Sequence, residues 1–282
     1  MSKANPCVVY LSSSAHSDWR EPVRAKYQND DLVILVGPCE NHGLSDAMGA
    51  PGDVKPGHKL RIMQMLSKSH VLFGYIPTDQ YRSFNIMLEI GIARAWGRRV
   101  FFVNAARSLD DEVKCALPAV DDSFDNLQDG LDRLHQLIGA NGNVLSNVAA
   151  GPDLQQLVNP TGDVKHRVYL SGSSDSAWVE SVRARYREDD QVELVAEGGL
   201  DALADSDILL ACRTSAEGRL FNLCLAVGYA SALCKPIIFV NEGDHYSHAY
   251  DYIKPFADGY FTRLDDGLRY LDYAVGIEER LR

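Results

Sequence analysis

The chain has no apolar run long enough for a membrane-spanning helix, which needs about 20 consecutive apolar residues, so no membrane partner is expected. It has no Cys-x-x-Cys pair. Cys7, Cys39, Cys115, Cys212, Cys224 and Cys234 are scattered, several of them in apolar stretches where a thiol acts as a small hydrophobe. Neither a zinc site nor a disulfide framework follows from that spacing. His245 and His248 form an H-x-x-H, a pair that more often decorates a loop than binds metal, so no metal and no cofactor is expected. Basic residues are scarce: 28 against 39 acidic ones leave a net charge of -11, with no basic stripe to offset it. Such a surface repels a polyanion, and binding to duplex nucleic acid is not expected. The opening residues MSKANPCVVY lack a basic segment followed by a long apolar one, so a cytoplasmic location is expected.

What the chain does contain is an internal repeat, the feature to seek first because it decides the architecture. Val9 to Val36 lies over Val168 to Val195 without a gap, with 17 of 28 positions identical. Ser69 to Asn104 matches Ser206 to Asn241 at a constant offset, and Phe124 to Gly139 pairs with Phe261 to Gly276. The offset changes once, by 22 residues, because copy two lacks much of PCENHGLSDAMGAPGDVKPGHKL. A Gly-, Asn- and Pro-bearing stretch between the copies reads as a linker, dividing the chain into residues 1–150 and 151–282.

Within each copy, short apolar runs alternate with segments of helical period, the pattern of a parallel sheet flanked by helices. In copy one this predicts strands at Cys7 to Ser12, Leu32 to Gly37, His70 to Ile76 and Arg99 to Asn104, with a weak fifth before the last helix. Helices are predicted over Asp18 to Gln28, Gly57 to Ser67, Tyr81 to Trp96 and Phe124 to Ile138. The expected fold class is α/β, two tandem flavodoxin-like (Rossmann-like) doubly wound units forming a pseudo-dimer. In such sheets ligands bind outside the carboxyl ends of the strands, where strand order reverses. The loops after Leu11, Gly37 and Ile76 are therefore the candidate positions.

The second copy serves as a control for which polar groups the fold itself requires. The segment FNIMLEIGIARAW is apolar nearly all round and should be buried, yet Glu89 sits in its middle. A buried carboxylate is costly unless it faces a pocket or meets donors, and copy two has Ala226 there. Glu89 is thus a functional candidate. Trp19, Arg24 and Tyr27 recur as Trp178, Arg183 and Tyr186 and read as framework, whereas His16, Asp18 and Arg20 become Asp175, Ala177 and Val179. With Ser12, Ser13 and Ser14, those three form a loop suited to a sugar or an anion; side-chain capping by Ser17 or Asp18 would account for one of them. Tyr10 recurs as Tyr169, although a strand-end phenol can still orient a carboxylate. Gly37, Pro38, Glu40, Asn41, His42 and Asp46 follow the second strand, and much of that stretch has no counterpart in copy two. Asp79 gives way to Ala216, and Asn85 stands beside Phe84 at the start of the Glu89 segment.

Through VYLSSSAHSDWR, VGPCENHGLSD and FNIMLEIGIARAWGR, copy one resembles the YtoQ-type branch of the nucleoside 2-deoxyribosyltransferase superfamily. The resemblance implies a flavodoxin-like fold, a first-strand tyrosine matched by Tyr10 and a carboxylate nucleophile on a helix matched by Glu89. It also implies cleavage or transfer of an N-glycosidic bond in a small-molecule nucleoside or nucleotide. Asp46 or His42 would protonate the departing base, and the Ser12 to Arg20 loop would hold a sugar hydroxyl or 5′-phosphate. In the characterised enzymes a D-x-G-T stretch precedes the glutamate, where this chain reads YRSFN, Tyr81 to Asn85. Rival readings are cleavage of a dinucleotide such as NAD and non-catalytic nucleotide binding or sensing. Superfamily sites are often completed by a neighbouring subunit, a place the second copy could fill; a homodimer of the whole chain is a further expectation.

Overall fold

The structure is a computed structural model, described here for residues 6–13, 18–37, 58–79, 83–140, 165–172, 176–214, 220–243, 250 and 252–277. Copy one builds β1 (Cys7–Ser12), α1 (Arg20–Tyr27), β2 (Val33–Val36), α2 (His58–Ser67), β3 (Val71–Ile76), α3 (Phe84–Ala95), β4 (Arg99–Asn104), a short α4 (Asp110–Val113), β5 (Asp122–Phe124) and α5 (Leu127–Ala140). Copy two builds β6 (His166–Gly172), α6 (Ser176–Tyr186), β7 (Val192–Val195), α7 (Gly199–Ala204), β8 (Ile208–Arg213), α8 (Phe221–Ala232), β9 (Ile237–Asn241), β10 (Gly259–Phe261) and α9 (Leu264–Ala274). The strands form two five-stranded sheets, ordered β2-β1-β3-β4-β5 and β7-β6-β8-β9-β10. All their pairings are parallel. This is the doubly wound order, with its reversal between β1 and β3, and in copy two between β6 and β8. No helix among the described residues is long and apolar enough to cross a membrane.

Side-chain alternation along β1 sorts its residues between two layers. Cys7, Val9 and Leu11 pack with Trp19, Val23 and Tyr27 of the α1 region and with Leu131, Leu134 and Leu137 of α5. Tyr10 points the other way, into a core with Ile62 and Leu66 of α2 and Met87 and Ile90 of α3. Ser12, two residues on, shares the Tyr10 side. The same registers recur in hydrogen bonds at equivalent positions. Val100 N–H donates to Asp121 (2.7 Å) as Ile237 N–H does to Asp258 (2.8 Å). Val8 N–H donates to His70 Nδ1 (2.9 Å), and at the matching place Arg167 N–H donates to Asp207 (2.8 Å).

Helix α3 is buried along almost its whole length, as its all-round apolar sequence demands. One side lies on its own sheet and the other on α8, which is equally apolar. The two helices approach closely because each carries a glycine at the crossing. A Cβ on Gly91 would stand 2.1 Å from Leu225 O, and one on Gly228 would stand 1.9 Å from Leu88 O. Gly91 and Gly228 are equivalent in the repeat, as are Leu88 and Leu225, so the contact is reciprocal. Phe84 and its counterpart Phe221 meet edge to face with centroids 5.7 Å apart, and Trp96 Nε1 donates to Ala232 O at 3.1 Å.

Some boundaries differ from the sequence expectation. Helix α1 begins at Arg20 rather than Asp18: Trp19 is its N-cap without a side-chain bond, and Asp18 contributes only its carbonyl to Glu21 N–H. Helix α3 begins at Phe84 because Ser83 has φ 54°, which a helix cannot accommodate. The last helix of copy one begins at Leu127, since Phe124 belongs to β5 and Asn126 Oδ1 accepts from Asp129 N–H as a cap.

Replacement of Gly91 or Gly228 by valine is expected to destabilise the protein by about 3 kcal/mol or more, because the neighbouring atoms are backbone and cannot step aside. Gly139→Ala, where a Cβ would meet nothing within 4 Å, is expected to leave stability unchanged or slightly raised. Urea unfolding of the variants checks both outcomes.

Candidate active site

Two elements meet at the sheet's switch point: the end of β1 and the middle of α3. Helix α3 follows β3 and lies on the Tyr10 side of the sheet, which brings Glu89 over the end of β1. The Tyr10 hydroxyl donates to Glu89 Oε1 at 2.9 Å, and the Ser12 hydroxyl donates to Oε2. Each carboxylate oxygen therefore has its own donor, and the two donors stand at i and i+2 of one strand. The alternation that buries Val9 and Leu11 on the opposite face makes this possible.

The pair is nearly sealed, with Tyr10 1%, Ser12 0% and Glu89 3% exposed. Burial pushes Glu89 up to about 7, against the opposing pull of the Ser12 and Tyr10 hydrogen bonds and the positive charge of Arg20. The Tyr10 hydroxyl is raised well above its ordinary value, first by burial and then by the charge of Glu89, so it remains a donor. Arg94, on the same helix as Glu89, is exposed, and the hydrogen bonds to the carboxylate come from hydroxyls.

Around this centre, the Ser13 carbonyl accepts from Asn85 Nδ2 at 3.0 Å and from Arg20 at 2.8 Å. Asn222 donates in the same way to Gly172 O in copy two, so the Asn85 contact belongs to the fold. Ser13 Oγ is buried without a hydrogen-bond partner; the cost of such a group, about 1–3 kcal/mol, marks it for attention. Gly37 lies at the end of β2 with φ 146°, where a Cβ would press within 2.8 Å of Leu11 O. Glycine is required there by the close passage of two strand ends. Asp79 is exposed and accepts from Ser108 Oγ at 2.9 Å. Asp18 is exposed as well.

Arg20 departs from the expectation that it faces a phosphate. It is fully buried, with Nε donating to Leu11 O at 3.1 Å and a second nitrogen to Ser13 O, and it lies against the Trp19 ring. Its guanidinium braces the end of β1. Ser12, grouped by sequence with the sugar-facing hydroxyls, is instead a donor to Glu89. Arg61 was not singled out by the sequence, yet its charge acts on the Tyr10 hydroxyl together with that of Arg20. Ser14, His16, Pro38, Glu40, Asn41, His42 and Asp46 lie outside the described residues.

In copy two the same frame has lost its acid. Tyr169 and Ser171 repeat Tyr10 and Ser12, but Ala226 replaces Glu89 and Val179 replaces Arg20. A family model described as nucleoside 2-deoxyribosyltransferase YtoQ matches residues 10–55. The uncharacterized protein YtoQ of Bacillus subtilis (strain 168) is 30% identical over 112 residues, covering 34% of this chain and 73% of that protein.

The raised proton affinity of Glu89 has a thermodynamic consequence with a definite sign. The folded state holds this proton more tightly than the unfolded chain, so the parent loses stability as pH rises from 4.5 through about 7. Glu89→Gln, which has no such proton, is expected to be more stable than the parent by about 3 kcal/mol above pH 8 and to lose that advantage below pH 4.5. Urea unfolding of both proteins across this range would read the difference.

Proposed function

The chain belongs to the YtoQ-type nucleoside 2-deoxyribosyltransferase family, and from this premise we propose that copy one cleaves or transfers the N-glycosidic bond of a nucleoside or nucleotide. The observation that carries the reading is the buried carboxylate of Glu89, held by two hydroxyls of β1 in one copy and replaced by alanine in the other. Glu89 is the nucleophile. As the bond from C1′ to the base nitrogen breaks, its electron pair leaves with the base, and a Glu89 oxygen bonds to C1′ through an oxocarbenium-like state. Water or a second base then displaces the carboxylate.

Tyr10 and Ser12 fix the direction of the nucleophile and spread its charge; both hydrogen bonds strengthen when Glu89 is ionised. Asp46 or His42 supplies the proton to the departing base. Ser13, with its unpaired buried hydroxyl, is a further contact for the sugar. Residues 1–150 form the catalytic unit and residues 151–282 its degenerate partner, the two making an internal pseudo-dimer through α3 and α8. The second unit covers the outer side of the helix that bears the nucleophile.

Glu89→Ala is expected to reduce base release by on the order of a thousand-fold or more while leaving the circular dichroism spectrum intact, since Ala226 already occupies the equivalent place. In the parent, kcat/KM should rise with pH through about 7 as the nucleophile ionises. The assay follows base release from nucleosides, their 5′-monophosphates and NAD. Comparable activity in Glu89→Ala would overturn the mechanism, and binding without turnover by the parent would leave a nucleotide-binding protein.

A further inference from the structure

Copy two keeps the two hydroxyls that grip Glu89 in copy one but not the acid they grip. Tyr169 and Ser171 stand at i and i+2 of β6, as Tyr10 and Ser12 do on β1, on the side of the sheet that faces α8. Neither makes a side-chain hydrogen bond with any described residue. Ser171 is only 7% exposed, a depth at which a hydroxyl ordinarily has a partner.

The helix above them keeps its seat. Asn222 Nδ2 donates to Gly172 O at 3.0 Å, as Asn85 Nδ2 donates to Ser13 O at 3.0 Å, so α8 is pinned to the end of β6 as α3 is to the end of β1. The reciprocal crossing at Gly91 and Gly228 fixes the same two helices from their other sides. Ala226 therefore stands over Tyr169 and Ser171 where Glu89 stands over Tyr10 and Ser12. Beyond Cβ, glutamate exceeds alanine by one CH2–COO⁻ group, which has the outline of acetate. The place is also less sealed than in copy one: Tyr10 is 1% exposed, whereas Tyr169 is half-buried.

The charge on this side of the sheet differs in the direction that favours an anion. Arg213, which stands at the place of Ile76, is fully buried at the end of β8, the strand beside β6. It lies on the α8 side, 4.6 Å over the ring of Tyr250, whose hydroxyl accepts from Leu220 N–H at the start of α8. Asn241 Oδ1 and Gly243 O accept from its Nη1 at 2.9 and 2.8 Å, so Arg213 supplies positive charge to this layer while its own hydrogen bonds hold it in place.

We propose that copy two holds a second ligand site, for the carboxylate of a small organic acid, whose two oxygens accept from Tyr169 and Ser171 as those of Glu89 accept from Tyr10 and Ser12. The hydroxyls are set for two oxygens of one planar group, and a charged acceptor is bound about twice as strongly as a neutral one. The inference stands on copy two alone and does not depend on what copy one does to a glycosidic bond.

The test is NMR titration of the full isotope-labelled chain with sodium acetate, against sodium chloride at equal ionic strength, following the amide signals of β6 and α8. Saturable shifts with a Kd on the order of 1 mM are expected, and acetamide should bind about 10-fold more weakly or less well still. Ser171→Ala and Tyr169→Phe should each weaken acetate binding about 10-fold. Ala226→Glu, which brings the chain's own carboxylate to the same donors, should abolish it; the two hydroxyl deletions keep the test decisive if that variant does not fold. Shifts that fail to saturate, that persist unchanged in both Ser171→Ala and Tyr169→Phe, or that acetamide reproduces equally would overturn the proposal. Tighter binding of inorganic phosphate at the same signals would overturn the carboxylate assignment.

Discussion

Helix α3 is held between its own sheet and α8, and that double burial depends on a backbone-to-backbone approach that only glycine permits. With Gly91 and Gly228 at the crossing, the helices come close enough for Phe84, Phe221 and the leucines around them to exclude water. Glu89 inherits its environment from this contact. Were α3 open to solvent on its outer side, the carboxylate would be partly hydrated and its proton affinity nearer the ordinary range. The dryness that makes the acid costly also makes its two hydroxyl partners effective, because hydrogen bonds and charges act more strongly where water is excluded.

Much of this was legible in the sequence because the chain contains its own control. The gapless match over Val9 to Val36 announced the repeat, the alternation of apolar runs announced parallel sheets, and the apolar circumference of FNIMLEIGIARAW announced a buried helix. Comparing Glu89 with Ala226 isolated the acid. The same comparison could not give Ser12, which the sequence grouped with the loop hydroxyls, its role as donor to Glu89, since Ser171 repeats it: a donor kept in both copies looks like framework even where only one copy has its acceptor.

Arg20 shows the opposite failure. Its replacement by Val179 made it resemble a ligand group, but a guanidinium that turns inward to cap carbonyls reads in sequence like one that turns outward. The difference between the copies arises where the chain leaves the first strand. Ser13 of copy one is matched by Gly172, which has φ 154°. Ser83 likewise escaped notice, because a serine at φ 54° is a tertiary outcome with no local signature.

The seating of α3 on α8 within one polypeptide also changes how the assembly responds to dilution. Two separate subunits joined by such a contact would drift apart as their concentration fell, and the shelter around the acid would fall with it. A tether replaces that second-order encounter by an internal one, with an effective concentration set by chain length and independent of how much protein is present. The environment of the Glu89 carboxylate is thereby the same in a sparsely expressed cell as in a crowded one, and copy two can discard its own acid without leaving the first exposed.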